Sequence, residues 1–354
     1  MTTAFASGTF ATWNYDDAYA AAASDPETIL PGARAVVCIA VPFAHPVPAG
    51  REPLRGRVSN YAWSADYHRP MRDILTRIAR ALDAAAGAPV TRIVCDTAPL
   101  AERAFAARAG LGWIGKHTNL IAPGLGSFVF LGEIVTTLEI AADAPLKKTC
   151  GSCARCVSGC PTGALRGDYT IDAARCISDL TQRKDAIPLE LRPLIGDWVW
   201  GCDLCQLACP PTQRAAPSAR PDFAPRHDAA SPVLLELLQL RSAQFKRRYR
   251  SLALGWRGAA VLRRNAAVAL GNALDRSTVP ALETALAADP NPLVRGHVAW
   301  ALGRIGSPRA LAALRLRTRR EPDATVREEI AAAVAALETF GKPRALGCRR
   351  VQTQ

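Results

Sequence analysis

Cys150, Cys153, Cys156 and Cys160 fall within the stretch C-G-S-C-A-R-C-V-S-G-C-P-T-G-A-L at 150–165. Thiols at this density either pair with one another or hold metal. Disulfides need an oxidising compartment, and no charged segment leading into an apolar one marks the chain for export. Metal ligation is therefore the stronger reading, and spaced C-x2-C pairs are the usual signature of zinc. Cys202, Cys205 and Cys209 form a second run, C-D-L-C-Q-L-A-C-P, and Cys176 stands alone in A-R-C-I-S.

The spacing is narrower than zinc requires. C-x2-C-x2-C-x3-C-P is the run of two-cluster ferredoxins, in which three thiolates hold one [4Fe–4S] cluster and the fourth turns to another. Exchanging the last thiol of each run assigns Cys150, Cys153, Cys156 and Cys209 to one cluster, and Cys202, Cys205, Cys160 and Cys176 to the other. Pro161 and Pro210 are expected to stop helix and turn the chain around each cluster. Cys38, Cys95 and Cys348 lie outside the pattern, and Cys38 in A-V-V-C-I-A-V reads as a small apolar core residue.

Such clusters relay electrons one at a time, so a neighbouring site must perform the chemistry. No G-x-G-x-x-G opens a dinucleotide site, no C-x3-C-x2-C marks radical chemistry, and no D-x-H-x-x-G offers a histidine ligand to cobalamin. What remains is D-T-A-P at 96–99, followed by A-E-R-A-F-A-A-R-A-G-L-G-W-I-G-K-H-T. Asp96 is expected at the carboxyl end of a parallel-type strand, where α/β sheets bind ligands. Its spacing from Pro99 fits a helix N-cap equally well.

The elements around these residues form three regions. Up to residue 145, strand-like runs (35–42, 91–96, 127–135) alternate with helix-like ones such as 68–86, which predicts an α/β domain. Residues 146–215 carry the cysteines, with a helical segment at 172–183 and a turn region reaching 196. After a proline-rich linker at 210–225, residues 226–340 contain an internal repeat. Leu262-Arg263, Val294-Arg295 and Val326-Arg327 are spaced by 32 residues, as are Gly271 and Gly303. This is the length of short HEAT-like helix pairs. The expected fold is α+β multidomain: an α/β domain, a ferredoxin-like double-cluster domain and a helical repeat domain.

The 354 residues are 49% hydrophobic but contain no run of about 18 apolar residues, so no membrane span is expected. The net charge of +13 points to an anionic partner, although an arginine-rich, alanine-rich composition also arises from base composition alone. Its distribution is more specific. From Arg241 to Arg264 there are eight Lys or Arg residues and no acid, with Phe245, Tyr249 and Trp256 interleaved. Lys246, Arg247, Arg248, Arg250, Arg263 and Arg264 are the candidate nucleic-acid contacts, against a merely solvated face.

Taken together, these motifs resemble one family, the epoxyqueuosine reductases. The matching stretches include N-Y-A-W-S-A-D-Y-H (60–68), D-T-A-P-L-A-E-R (96–103), A-G-L-G-W-I-G-K-H-T (109–118), A-R-C-I-S-D-L-T (174–181), I-P-L-E-L-R-P-L-I-G (187–196), both cysteine runs and R-N-A-A-V-A-L-G-N (264–272). The resemblance covers about residues 30 to 340. It implies an oxidoreductase that completes queuosine in tRNA, using base-off cobalamin in the α/β domain and two clusters delivering electrons to cobalt. It makes Asp96 the acid, which must hold a proton near neutral pH, as burial against a corrin would favour. By the same resemblance Arg103, Lys116, Ser178 and Asp203 line cofactor or nucleoside, with surface or cap roles as the alternative. Tyr61, Asp66 and His68 pack at the same site, where His68 also suits a structural role. The implied partners are tRNA with a G-U-N anticodon and an external low-potential donor of ferredoxin or flavodoxin type, for a cytoplasmic monomer.

Two departures stand out. The family's further N-terminal βα segment is not found before L-P-G-A-R-A-V at 30–36, so a trimmed domain or a misassigned start is expected. The family's Y-A-x-G-R-D-Y-H becomes Y-A-W-S-A-D-Y-H, placing Ser64 and Ala65 where glycine and arginine are usual. Two rival readings share parts of the pattern. Reductive dehalogenases have the cobalamin and paired clusters but carry a twin-arginine leader and lack the helical tail. A ferredoxin-type carrier with a docking solenoid would leave D-T-A-P and L-G-W-I-G-K idle.

Overall fold

The computed structural model describes residues 15–47, 52–226 and 229–339. Cys348 lies outside them.

The run A-V-V-C-I-A-V-P, rich in β-branched residues, forms β1 (Ala35–Pro42), and β2 (Thr91–Val94) and β3 (Val129–Thr136) complete a sheet ordered β1-β3-β2. β3 is central and antiparallel to both neighbours, with Ala35 and Thr91 each opposite Thr136. The expectation of a parallel-type ladder is thus corrected, although β1 and β2 do point the same way. The helix His68–Ala86 covers one face, because Met71, Ile74, Leu75 and Ala79 recur at helical spacing and are buried. It stops at Gly87, whose left-handed φ of 68° an L side chain would strain. Gly132 lets this helix approach closely, since a Cβ there would meet Leu75 at 2.9 Å.

The cysteine region consists of short turns and helices: Arg155–Ser158, Ile177–Gln182, Leu204–Leu207 and Pro210–Gln213. Pro210 opens the last of these at a position that needs no N–H, so it starts a helical turn where the sequence predicted a stop.

The helices Ala259–Ala273, Val279–Ala288, Pro292–Ile305, Pro308–Thr318 and Ala324–Thr339 stack as repeats. The 32-residue period has two structural causes. Gly271 and Gly303 sit at close helix crossings, where a Cβ would lie 2.7 Å from Trp300 and Ala333 respectively. The repeated arginines bind acids and carbonyls at the D-P and E-P turns: Arg263 pairs with Asp289 at 2.7 Å, Arg295 with Glu321 at 2.6 Å, and Arg327 donates to the Glu321 carbonyl at 3.0 Å. The largest core cluster runs from Val58, Trp63 and Trp200 into the repeat residues Leu262, Leu282 and Val298, so the repeats share a core with the preceding chain. Among the described residues no helix is long and apolar enough to cross a membrane.

Candidate active site and cluster loops

The thiols feel one another's charge in two groups. Cys156 neighbours Cys150 and Cys209, and Cys209 neighbours Cys150 and Cys153. Cys202 neighbours Cys176 and Cys205, and Cys205 in turn neighbours Cys176 and Cys160. Each group joins thiols from both cysteine runs, and Cys205 feels Cys156 of the first group ahead of Cys160, which sets the groups side by side. Among the described residues no three His, Cys, Asp or Glu converge on a point for a single ion. Mononuclear zinc draws its ligands to within about 2.3 Å of the metal. Backbone N–H groups already face the sulfurs: Lys116 donates to Cys150 Sγ at 3.4 Å, and Ser178 and Asp179 donate to Cys176. Such bonds tune a cluster's potential.

A cavity of about 550 Å³ opens beside the second group, with Cys176, Cys202 and Cys205 in its lining. Its lining includes the turn after β2, where Asp96 takes a left-handed φ of 56°. Asp96 does not cap the following helix, whose N-cap is Ala101. Its carboxylate accepts from the Tyr67 hydroxyl at 2.8 Å, and its N–H donates to Glu102 Oε1 at 2.5 Å. Behind it, His68 Nε2 lies 3.9 Å from the Asp96 carboxylate, while Nδ1 meets Asp66 at 2.6 Å. The Asp66 bond raises the His68 pKa, and the same bond lowers that of Asp66, so this pair favours an imidazolium next to the acid. Tyr67 is held flat by stacking between Phe130 and His68, each centroid 4.2 Å away.

Of the sequence-predicted residues, Tyr61, Asp96, Arg103 and Ser178 line this one cavity. Tyr61 accepts from Trp200 Nε1 at 2.8 Å, Arg103 donates to the Thr118 carbonyl at 2.7 Å, and Ser178 Oγ accepts from Gln182 at 3.2 Å. Asp66 and His68 stand behind its rim. Lys116 and Asp203 do not line it. Lys116 Nζ donates to the Gly151 carbonyl at 3.0 Å in the first cysteine loop. Asp203 is buried and accepts from Ser59 Oγ at 2.5 Å and Asn60 N–H at 2.7 Å, positioning the Tyr61 turn. Burial raises its carboxyl to about 6, against the hydrogen bonds.

The basic segment is corrected in part. Arg264 has no exposed surface and donates to the carbonyls of Leu180, Arg183 and Asp185, so it cannot reach a nucleic acid. Arg263 is engaged by Asp289 and the Leu240 carbonyl. Phe245 and Tyr249 are the buried face of the helix Ser242–Tyr249 and are not stacking platforms. Lys246, Arg247, Arg248 and Arg250 remain on its exposed side, with Arg248 paired to Glu236 at 2.8 Å.

Several residues of the site went unnamed in the sequence. Tyr67 and Glu102 lie inside the quoted motifs but carried no signal of their own. Glu133 is fully buried on β3 opposite Cys38, and burial, then the neighbouring Glu102, pushes its carboxyl up to about 9, so it keeps its proton. Arg257 brings a guanidinium into the cavity from the repeat side, packed 3.7 Å over Trp256. His117 lines the cavity with Nδ1 accepting from Asn119 N–H at 3.2 Å, and desolvation lowers it to about 4. In that neutral tautomer Nε2 carries the hydrogen and offers no lone pair to a metal. Aromatic walls with polar groups at the edges fit a bound cobalamin.

Family comparisons agree with this geometry. Residues 24–97 match the model described as Epoxyqueuosine reductase QueG, DUF1730. Residues 149–212 match a 4Fe-4S double cluster binding domain and 253–335 match HEAT repeats. The epoxyqueuosine reductase of Bacillus cereus is 36% identical over 313 residues, 87% of this chain and 82% of that protein. That of Pseudomonas aeruginosa is 40% identical over 301 residues, 83% of each. The chain belongs to the epoxyqueuosine reductase family. Its cofactors are those of the family, two [4Fe–4S] clusters and cobalamin. A crystal structure of an epoxyqueuosine reductase with an epoxyqueuosine-modified tRNA-Tyr stem loop superposes with a TM-score of 0.84 at 34% identity, covering 88% of this chain and 84% of that one. A Bacillus subtilis structure, TM-score 0.85 at 32% identity over 92% of this chain and 87% of its own, is described as having its catalytic aspartate loop swung out of the active site.

Proposed function

We propose that this chain reduces epoxyqueuosine to queuosine in tRNA, with Asp96 as the proton donor. The observation that carries the reading is one cavity lined both by Asp96 and by three thiols of the second cysteine set. Deoxygenation consumes two electrons and two protons: the two C–O bonds of the epoxide break, a C=C bond forms and the oxygen leaves as water. Cobalamin, when bound, supplies the low-potential metal centre at which those electrons meet the substrate. Tyr61, Arg103, Ser178, Gln182 and Arg257 hold its edges. Cys150, Cys153, Cys156 and Cys209 hold one cluster, and Cys160, Cys176, Cys202 and Cys205 the other. Asp96 gives its proton to the epoxide oxygen, and the Asp66-supported His68 imidazolium replaces it.

The finer reading follows the same line. The substrate is tRNA with a G-U-N anticodon, gripped by the exposed cations of the Ser242–Tyr249 helix, and the enzyme works as a cytoplasmic monomer. A low-potential carrier of the ferredoxin or flavodoxin type supplies the electrons.

Single turnover of pre-reduced enzyme on epoxyqueuosine-containing tRNA tests the assignment without any donor. Asp96→Asn suits the left-handed backbone and keeps hydrogen-bonding capacity, but cannot release a proton. Conversion should slow by roughly two to four orders of magnitude, the usual worth of a placed acid, with cobalamin and tRNA still bound. Near-normal conversion removes Asp96 from the chemistry.

A further inference from the structure

The two cysteine sets differ in what surrounds them. Cys176, Cys202 and Cys205 face the cavity, whereas Cys153 of the other set is exposed. Around that exposed thiol the chain is basic. Residues 144–160 contain Lys147, Lys148 and Arg155 and no acid, and Arg214 follows five residues after Cys209. All four cations are exposed, and among the described residues no ion pair engages any of them. Lys148 is fixed in place by stacking over the Trp113 ring at 4.6 Å. Beside them Leu146 is 38% exposed, an apolar contact within a charged rim.

Exposed cations without ion pairs in the loops that carry an exposed cluster ligand raise the encounter rate with acidic partners and disfavour basic ones. We infer that this face is the docking surface for an acidic, low-potential one-electron protein carrier, and that electrons reach the protein at the Cys153 edge. The inference rests on the two-cluster reading above. Each encounter oxidises the carrier by one electron and reduces a cluster by one, and two encounters supply the pair that deoxygenation consumes.

The alternative role for the same cations is to offset the charge of the cluster itself. Reduced flavodoxin, an acidic protein, and reduced methyl viologen, a small cation, separate the two roles when cluster bleaching is followed by stopped flow. Lys147→Glu with Arg214→Glu should slow reduction by flavodoxin about 10-fold or more at low ionic strength, within the range of electrostatic steering. The difference should shrink toward nothing at about 0.5 M salt, where screening acts over a few ångströms. Reduction by methyl viologen should be unchanged or faster. Equal slowing with both reductants, or no slowing with flavodoxin, overturns the docking surface. The neutral pair Lys147→Gln with Arg214→Gln, which poses less risk to folding, should show a smaller loss with the same salt dependence. Wild-type protein lacking two reducible clusters would instead overturn the underlying reading, an outcome visible before any variant is made.

Discussion

Asp96 is tied at two points: its carboxylate accepts from Tyr67 at 2.8 Å and its N–H donates to Glu102 at 2.5 Å. Its side chain is otherwise 66% exposed on the cavity rim, on a left-handed backbone that an L residue holds only when its surroundings insist. Glu102→Ala should free the turn and lower the single-turnover rate about 10-fold or more, the worth of a hydrogen bond to a charged group, while tRNA affinity stays unchanged. Glu102→Gln retains an oxygen acceptor for the same N–H and should recover most of that rate. Equal impairment in both variants would mean that the charge of Glu102, and not its grip on the turn, is what matters.

Cys156 and Cys209 lie over fifty residues apart and share electrostatic neighbours. Cys156→Ala and Cys209→Ala should therefore abolish the same EPR signal of the reduced protein, and Cys160→Ala the other one. Loss of different signals in the first two variants would refute the exchanged ligation.

Glu133 makes stability depend on pH. Its folded pKa of about 9 is raised above the ordinary value of 4.5, so the folded state binds the extra proton between those values. Stability from this group is complete below about pH 4.5 and declines as pH rises toward 9. Glu133→Gln, neutral at every pH, should raise the melting temperature at pH 8 by a few degrees relative to wild type and leave it little changed at pH 4.5. A pH-independent difference between the two proteins would refute the assignment.

Lys246, Arg247 and Arg250 are exposed, and no described acid pairs with them. Replacing all three with Gln should weaken tRNA binding and reduce the slope of log affinity against log salt by about one for each phosphate no longer neutralised. Cluster and corrin content should not change. An unaltered salt slope would return the helix to a solvated surface.

Much of this architecture is readable from the residue order. The run at 35–42 is β1 to the residue, and the helix at 68–86 likewise. What escaped depends on partners distant in the chain. Arg264 counts as a free cation in sequence, yet its guanidinium is filled by carbonyls some eighty residues earlier. Asp203 adjoins Cys202 in the second cysteine run, but its carboxylate turns to Ser59, 144 residues away. Tyr67 needed Phe130 and the Asp96 turn to acquire a role. The alternation of aromatic and basic residues at 245–250 was real, but helical geometry sends the two kinds to opposite sides.

The seam between the repeats and the cysteine region is closed by buried polar groups from both sides. Arg264 reaches three carbonyls, Asn265 donates to the carbonyls of Thr181 and Val199, His297 accepts from Ile187 N–H at 3.1 Å, and Arg192 forks onto Glu329. Parting the two halves would strand every one of these groups, so the repeats cannot unfold and leave the cluster loops intact. Iron held in the loops and any ligand held on the repeats then stabilise the same native state. Loss of the clusters would therefore weaken the repeats as well as the loops that hold iron.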